Sequence, residues 1–260
     1  MPISKFQSLV PKILHFIWLP LASGLPEREQ GFIQRWSLLN PDYGIMLWDT
    51  ESIAHFLYRF FPQYVQSWHS LRKHERDMQG LVKQVDMARY LIIQIYGGCY
   101  FDTDTEPTSS LEKFWDTDIM YARAVRGVRS LPEHLPSHHV DWSSYDFLLS
   151  ADNWGAKDNL STVTNCAILS IPGVKFWQQV VEHGLPRKDG KVLTSFGTWA
   201  LTDLLRVAKQ QKLVRALVLP SFYFNWVPHH MDQDPPEWNV CLHHNDISWG
   251  DDKLKVPWQA

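Results

Sequence analysis

Asp102 and Asp104 are the residues to which a chemical role attaches most readily. They close the string GGCYFDTD, which runs from Gly97 to Asp104. A strand through this string sends side chains two apart to one face, which predicts that the two carboxylates converge. Two ionised carboxylates side by side repel, and burial raises a carboxylate pKa unless a cation lies between them. Oxygen-only ligation favours a hard divalent ion, Mg²⁺ or Mn²⁺, that keeps positions open for substrate phosphates. An isolated Asp-X-Asp triplet is common by chance and is usually an exposed pair of acids, so its neighbours decide its meaning.

The decisive neighbour is the stretch just before it. Leu81, Val85, Ala88, Ile92 and Ile95 recur at steps of four and three, which predicts a helix from about Met78 to Tyr96 with one apolar stripe. Gly97 and Gly98 stop it, because glycine readily takes the left-handed conformations that end helices. Asp86, Arg89 and Tyr90 lie three and four residues apart on a different face of that helix. A surface Asp–Arg pair contributes only about 0–1 kcal/mol. A helix that delivers such a pair straight into the Asp-X-Asp strand instead points to a shared cleft.

The positioning elements follow from the rest of the chain. Strands are expected at Ile13 to Leu19, in IMLWD, in CYFDTD, at Ile119 to Ala124, at Cys166 to Ile171 and at Leu217 to Leu219. Helices are expected near Phe32–Leu39, Ser52–Phe61, Val174–His183 and Thr198–Lys209. This alternation predicts an α/β fold in a single domain over residues 1–260, with a helical insertion at about 50–80. Residues 127–159 are rich in Pro, Ser, His and Asp. They read as a long irregular excursion, of the kind that often serves as a lid or binding segment.

Composition narrows the function classes. Lys plus Arg number 25 against 28 Asp plus Glu, a net charge of −3 over 260 residues. No basic excess marks a nucleic-acid surface. No apolar run approaches the 18 or so residues of a spanning helix, and MPISKFQSLV lacks the pattern of a secretory signal. A cytoplasmic enzyme, with peripheral membrane contact at most, is the expectation. Cys99, Cys166 and Cys241 are far apart, which suits reduced thiols better than a disulfide frame. Tryptophan, at 13 copies, is the outlier; flat indole faces fill cores and also serve sugar binding.

Taken together, the sequence resembles glycosyltransferase family 32, the sugar-binding region with an Asp-X-Asp motif. Fungal initiation-type mannosyltransferases and bacterial capsule and lipooligosaccharide transferases belong to that family. The resemblance rests on VPKILHFIW, NPDY with LWD, the pattern D-x-x-R-Y-x₆-G-G-x-Y-x-D-x-D from Asp86 to Asp104, TNCAILS and HHNDISW. It implies a GT-A-like fold, with a central mixed sheet flanked by helices, and a metal-dependent retaining hexosyltransferase. The implied cofactor is Mn²⁺ or Mg²⁺. The implied donor is a UDP- or GDP-sugar, and the implied acceptor a glycan, a glycolipid or a protein.

The resemblance also assigns roles to single positions. Trp18 would line the base pocket. Asp86 and Arg89 would contact donor ribose and sugar hydroxyls, with Tyr90 in the donor-binding set but better suited to packing the site. Asn165 would lie near the donor sugar. Asp104 would bind metal directly and Asp102 would contact ribose or sugar and assist at the metal. His244 is the favoured third metal ligand and His243 the second choice. Ser248 and Trp249 would donate hydrogen bonds to the leaving diphosphate, where donors aimed at growing charge are worth roughly 10²–10³ in rate. The family commonly has Gly before Ser-Trp where this chain has Ile247, and a Gly-Pro pair where Gly197 is followed by Thr198.

Two other readings compete. DTDT has the look of the start of a metal-dependent phosphohydrolase, but Glu106 occupies the place where a hydroxyl would be needed. A non-catalytic sugar-nucleotide-binding module would retain the cleft without turnover.

Overall fold

The computed structural model describes residues 9–19, 24–75, 77–115, 144–151, 162–219, 221, 223–227, 235 and 239–244. The strand expected at 119–124, and Ser248 and Trp249, lie outside the described residues.

The strands are β1 (Ile13–Ile17), β2 (Gly44–Trp48), β3 (Gly98–Phe101), β4 (Thr105–Pro107), β5 (Phe147–Ala151), β6 (Val163–Ser170), β7 (Ala216–Leu219) and β8 (Cys241–His243). The helices are α1 (Glu27–Leu39), α2 (Thr50–Phe60), α3 (Val65–Ser70), α4 (Met78–Tyr96), α5 (Leu111–Trp115), α6 (Phe176–Gly184), α7 (Val192–Ser195) and α8 (Thr198–Gln210). Six strands form one mixed sheet in the order β2-β1-β3-β6-β5-β7, and β4 pairs with β8 in a separate two-stranded sheet. β1 runs parallel to β2 and β3, β6 antiparallel to β3 and β5, and β7 parallel to β5. The mixed α/β architecture is the one expected. Among the described residues no helix is long and apolar enough to cross a membrane.

Two hydrophobic clusters flank the sheet. One joins α2, α3, α4, α6 and α8 to residues such as Ile17, Tyr100, Phe147 and Ile168. The other joins α1 and α5 to Leu14, Phe16, Cys99, Phe101 and Leu169. Strand alternation produces this division: Cys99 and Phe101 face one layer, while Tyr100 between them faces α4.

α3 is tied to the first half of α4. The Trp68 indole donates to the Gln84 carbonyl and the Gln84 amide donates back to the Trp68 carbonyl, both at 3.0 Å. At the far end of α4, His15 bridges β1 to the glycine pair. Its Nε2 lies 3.0 Å from the Gly97 carbonyl, and its Nδ1 accepts from the Trp48 indole at 3.1 Å. Burial pushes the His15 pKa down to about 4, so this histidine is neutral and structural.

Three expectations change. β5 lies inside the segment 127–159, which the composition marks as irregular; Phe147 to Ser150 is buried and pairs with β6 and β7. β4 and β8, each three residues long, are too short to show periodicity. Most consequentially, β3 ends at Phe101, and Asp102 to Asp104 form a turn in which the Thr105 amide donates to the Asp102 carbonyl at 3.1 Å. The two acids therefore converge by turning, not by strand alternation.

Gly97 makes the reversal from α4 into β3. Its φ of 61° and ψ of −151° lie in a region open essentially to glycine alone. A Cβ there would sit 2.7 Å from the Pro172 nitrogen and 2.9 Å from the Ser170 carbonyl. Gly97→Ala is expected to lower stability by about 1–3 kcal/mol through backbone strain, with steric overlap in addition. Urea unfolding checks this, and an unchanged midpoint contradicts it.

Candidate active site

The site is built on Arg89. Its Nη1 lies 3.0 Å from Asp102 Oδ1 and its Nη2 lies 3.1 Å from Asp86 Oδ1. Nη1 also donates to the Asn165 carbonyl at 2.8 Å, and the guanidinium lies 4.7 Å from the Tyr100 ring centre. The Tyr100 hydroxyl donates to Asp102 Oδ1 at 2.7 Å. The Asn165 amide donates to Asp86 Oδ1 at 2.9 Å and to the Tyr90 hydroxyl at 3.0 Å. The Asp102 amide donates to the Cys166 carbonyl at 2.9 Å, which extends β3 towards β6 just before the turn.

The fold explains the meeting. The spacing of Asp86, Arg89 and Tyr90 on α4 puts them on the face towards β3 and β6, where Tyr100 and Asn165 arrive from the sheet. Asp86 and Arg89 are only 3% and 4% exposed. They form a brace behind Asp102. Tyr90 is wholly buried, its hydroxyl donates to the Phe196 carbonyl at 2.8 Å, and its ring stacks on Trp177. It packs the site and offers no surface to a donor.

Asp104 is reached from the other side. His243 Nε2 is 3.5 Å from Asp104 Oδ1, and Asp102, Asp104 and His243 place one ligand atom each within 4.8 Å of one another. β8 brings His243 there by pairing it with Thr105, and the His244 amide donates to the Asp104 carbonyl at 3.1 Å. His244, the histidine favoured from sequence, is turned away. Its Nε2 lies 3.1 Å from Glu106 Oε2 and its ring stacks on Phe32 at 5.2 Å. Adjacent residues of an extended segment point to opposite sides, so only one of the pair can face the acids. Glu106 also accepts from Arg35 at 2.9 Å. Trp36 anchors the same arm by donating to the Thr105 carbonyl at 3.1 Å and stacking on Phe101.

Trp18 follows β1, and its main-chain amide donates to the Trp48 carbonyl at 2.9 Å. Its buried indole N–H has no partner among the described residues, and neither does that of Trp226. An unpaired buried donor costs about 1–3 kcal/mol and is the kind of group a ligand can satisfy.

The electrostatics are unbalanced in one direction. Burial raises Asp86 to about 7, and Asp102 adds to the rise while Arg89 and Asn165 oppose it. Burial also raises Asp102, with Asp104 adding to the rise and Arg89 opposing it. Burial disfavours an imidazolium at His243, yet Cys166 and Asp104 outweigh it and raise the pKa well above the ordinary value. One guanidinium and one imidazole thus face three carboxylates. Two carboxylate oxygens and an imidazole nitrogen so gathered suit a divalent cation.

The fold is that of GT-A glycosyltransferases. It is similar to the solved glycosyltransferase PaToxG, with a TM-score of 0.50 and 15% identity over 78% of this chain and 75% of that one. It is also similar to the UDP-bound glycosyltransferase domain of the YGT toxin, with a TM-score of 0.50 and 10% identity over 81% and 79%. Residues 26–126 match the family described as glycosyltransferase sugar-binding region containing DXD motif, and this stretch holds Asp86, Arg89, Asp102 and Asp104. That stretch is therefore similar to the family that the sequence resembles.

Among curated relatives, inositol phosphoceramide mannosyltransferase 3 of Schizosaccharomyces pombe is 28% identical over 42% of this chain and 28% of its own length. An uncharacterised glycosyltransferase of Acanthamoeba polyphaga mimivirus is 26% identical over 41% and 40%. The matched stretch thus spans between about a quarter and two fifths of these relatives.

Protonation of Asp86 gives a pH signature. Between about pH 4 and pH 7 the folded protein holds a proton there that the unfolded chain has released. The contribution of this group to stability therefore falls as pH rises through that window. Asp86→Asn is expected to gain stability relative to the wild type between pH 4.5 and 7.5 by at least about 1 kcal/mol, less than the worth of one pKa unit. Urea unfolding at the two pH values checks it; a difference independent of pH contradicts it.

Proposed function

We propose that this chain transfers a hexosyl group from a nucleoside-diphosphate sugar to a hydroxyl acceptor, with a divalent cation and with retention of anomeric configuration. The gathering of Asp102, Asp104 and His243 on the turn that carries the DXD motif is the observation that supports it. Asp104, Asp102 and His243 would hold the cation, whose chemistry is to neutralise charge on the departing diphosphate. Mixed oxygen and nitrogen ligation favours Mn²⁺ over Mg²⁺.

The protein groups have separate tasks in this reading. Arg89 and Tyr100 fix Asp102 through Oδ1, which leaves Oδ2 to face the ligand side. Asp86 and Asn165 hold Arg89 in place. Trp18 offers an indole N–H and a ring to the nucleoside end of the donor. Ser248 and Trp249 would donate to the diphosphate. The acceptor hydroxyl attacks from the face that the diphosphate leaves, and its proton passes to a departing phosphate oxygen. No protein nucleophile is assigned.

Mannosyl transfer is the first pairing to test, because the Schizosaccharomyces pombe relative is named for it. A glycolipid acceptor follows from the same name. Glycan and protein acceptors are the alternatives.

A screen of UDP- and GDP-sugars for donor hydrolysis and transfer, with and without Mn²⁺, tests the proposal. Asp104→Ala is expected to lower turnover at least about a hundredfold, in line with several kcal/mol of lost transition-state stabilisation. A chelator should mimic it, reversibly on adding Mn²⁺. Full turnover in chelator removes the metal-dependent reading. Proton NMR of the first product formed is expected to show the anomeric configuration of the donor; the opposite configuration overturns retention.

A further inference from the structure

We propose that Asn225 is the positioning residue that sets the tautomer of His243 and so turns its Nε2 lone pair towards Asp102 and Asp104. This inference rests on the metal-binding reading above and deepens it. Asn225 carries no sequence signal, lying in the aromatic segment SFYFNW between β7 and β8.

The geometry is specific. Asn225 is 3% exposed, and its Oδ1 lies 2.7 Å from His243 Nδ1. The other contacts of the amide set its orientation: Nδ2 donates to the Ala151 carbonyl at 3.5 Å, and the Cys166 thiol, 3.8 Å from both Oδ1 and the Phe224 carbonyl, is shared between these two acceptors. An amide turned by 180° would set its oxygen against the Ala151 carbonyl oxygen. Oδ1 is therefore the atom that faces His243, and an amide oxygen only accepts. Nδ1 must then carry the hydrogen, and in the neutral ring Nε2 is the bare nitrogen.

Nε2 is the atom 3.5 Å from Asp104 Oδ1. A bare nitrogen facing two carboxylates is unfavourable unless a proton or a cation stands between them. Asn225 thus makes His243 a ligand in waiting. A hydrogen bond to the far ring nitrogen orients metal-binding histidines generally, and its loss typically lowers metal affinity 10–100-fold.

The backbone holds Asn225 to this task. Its own amide donates to the Ser221 carbonyl at 2.7 Å, and the next residue, Trp226, accepts the His243 amide at 2.8 Å. Trp226 also bridges to Leu242 in parallel register. The amide side chain and the imidazole are therefore carried by two adjacent, mutually bonded segments.

The test has two independent readouts on the full chain. First, ¹⁵N NMR of the metal-free protein, titrated until the His243 ring is neutral, reports which nitrogen keeps the hydrogen. A pyrrole-like Nδ1 and a pyridine-like Nε2 are expected; the reverse assignment overturns the proposal. Second, Mn²⁺ affinity is measured by calorimetry without donor or acceptor. Asn225→Ala is expected to bind 10–100-fold more weakly, and Asn225→Asp, which keeps an acceptor oxygen, to stay within a few-fold of wild type. Wild-type affinity in Asn225→Ala, or loss in both variants while their melting curves match the wild type, overturns it. Should Asn225→Ala fail to fold, the wild-type NMR assignment and Asn225→Asp decide. Asp104→Ala separates the two readings: Mn²⁺ binding unchanged in that variant sinks the metal site itself, whereas loss there with no effect at Asn225 sinks only the role of the asparagine.

Discussion

One guanidinium lies between two carboxyl groups, that of Asp86 buried and that of Asp102 partly exposed. Arg89 reaches Asp86 with one terminal nitrogen and Asp102 with the other, in surroundings almost closed to water. Removing one partner from such an arrangement leaves uncompensated charge and costs about 3–5 kcal/mol. The planar fork of arginine serves two acids at once, which the point charge of a lysine does not. Through Asp102 this arrangement reaches the turn that also carries Asp104.

The fold keeps this arrangement in place. α4 supplies two members of the brace at helical spacing, and the Gly97–Gly98 reversal returns the chain so that Tyr100 looks back at the same helix face. β6 closes the other side with Asn165, whose backbone and amide both engage the charged pair. Trp36 and Glu106 restrain the arm after the turn. Position is therefore enforced from helix, main sheet and the two-stranded β4–β8 sheet together, none of which would define it alone.

Much of this is legible before any coordinates are known. The Met78–Tyr96 helix announces itself by a stripe of period 3.6 and by the glycine pair that ends it, and both bounds agree with the structure. The partnership of Asp86 and Arg89 follows from their spacing. What stays hidden has a physical reason in each case. β8 is three residues long, so nothing in it tells which histidine faces inward. β5 is a short buried run embedded in polar sequence, and burial of a strand comes from neighbours distant in the chain. Asn225 meets Ala151, Cys166 and His243, contacts distant in the chain that leave no local pattern.

The β4–β8 pairing carries a temporal consequence. Glu106 and His244, which meet across it, are 138 residues apart in the chain. Closing so large a loop is entropically slow, and such contacts form late relative to local ones. On the ribosome the acidic turn emerges well ahead of its histidine, so in a nascent chain Asp102 and Asp104 stand without the partner that β8 later brings.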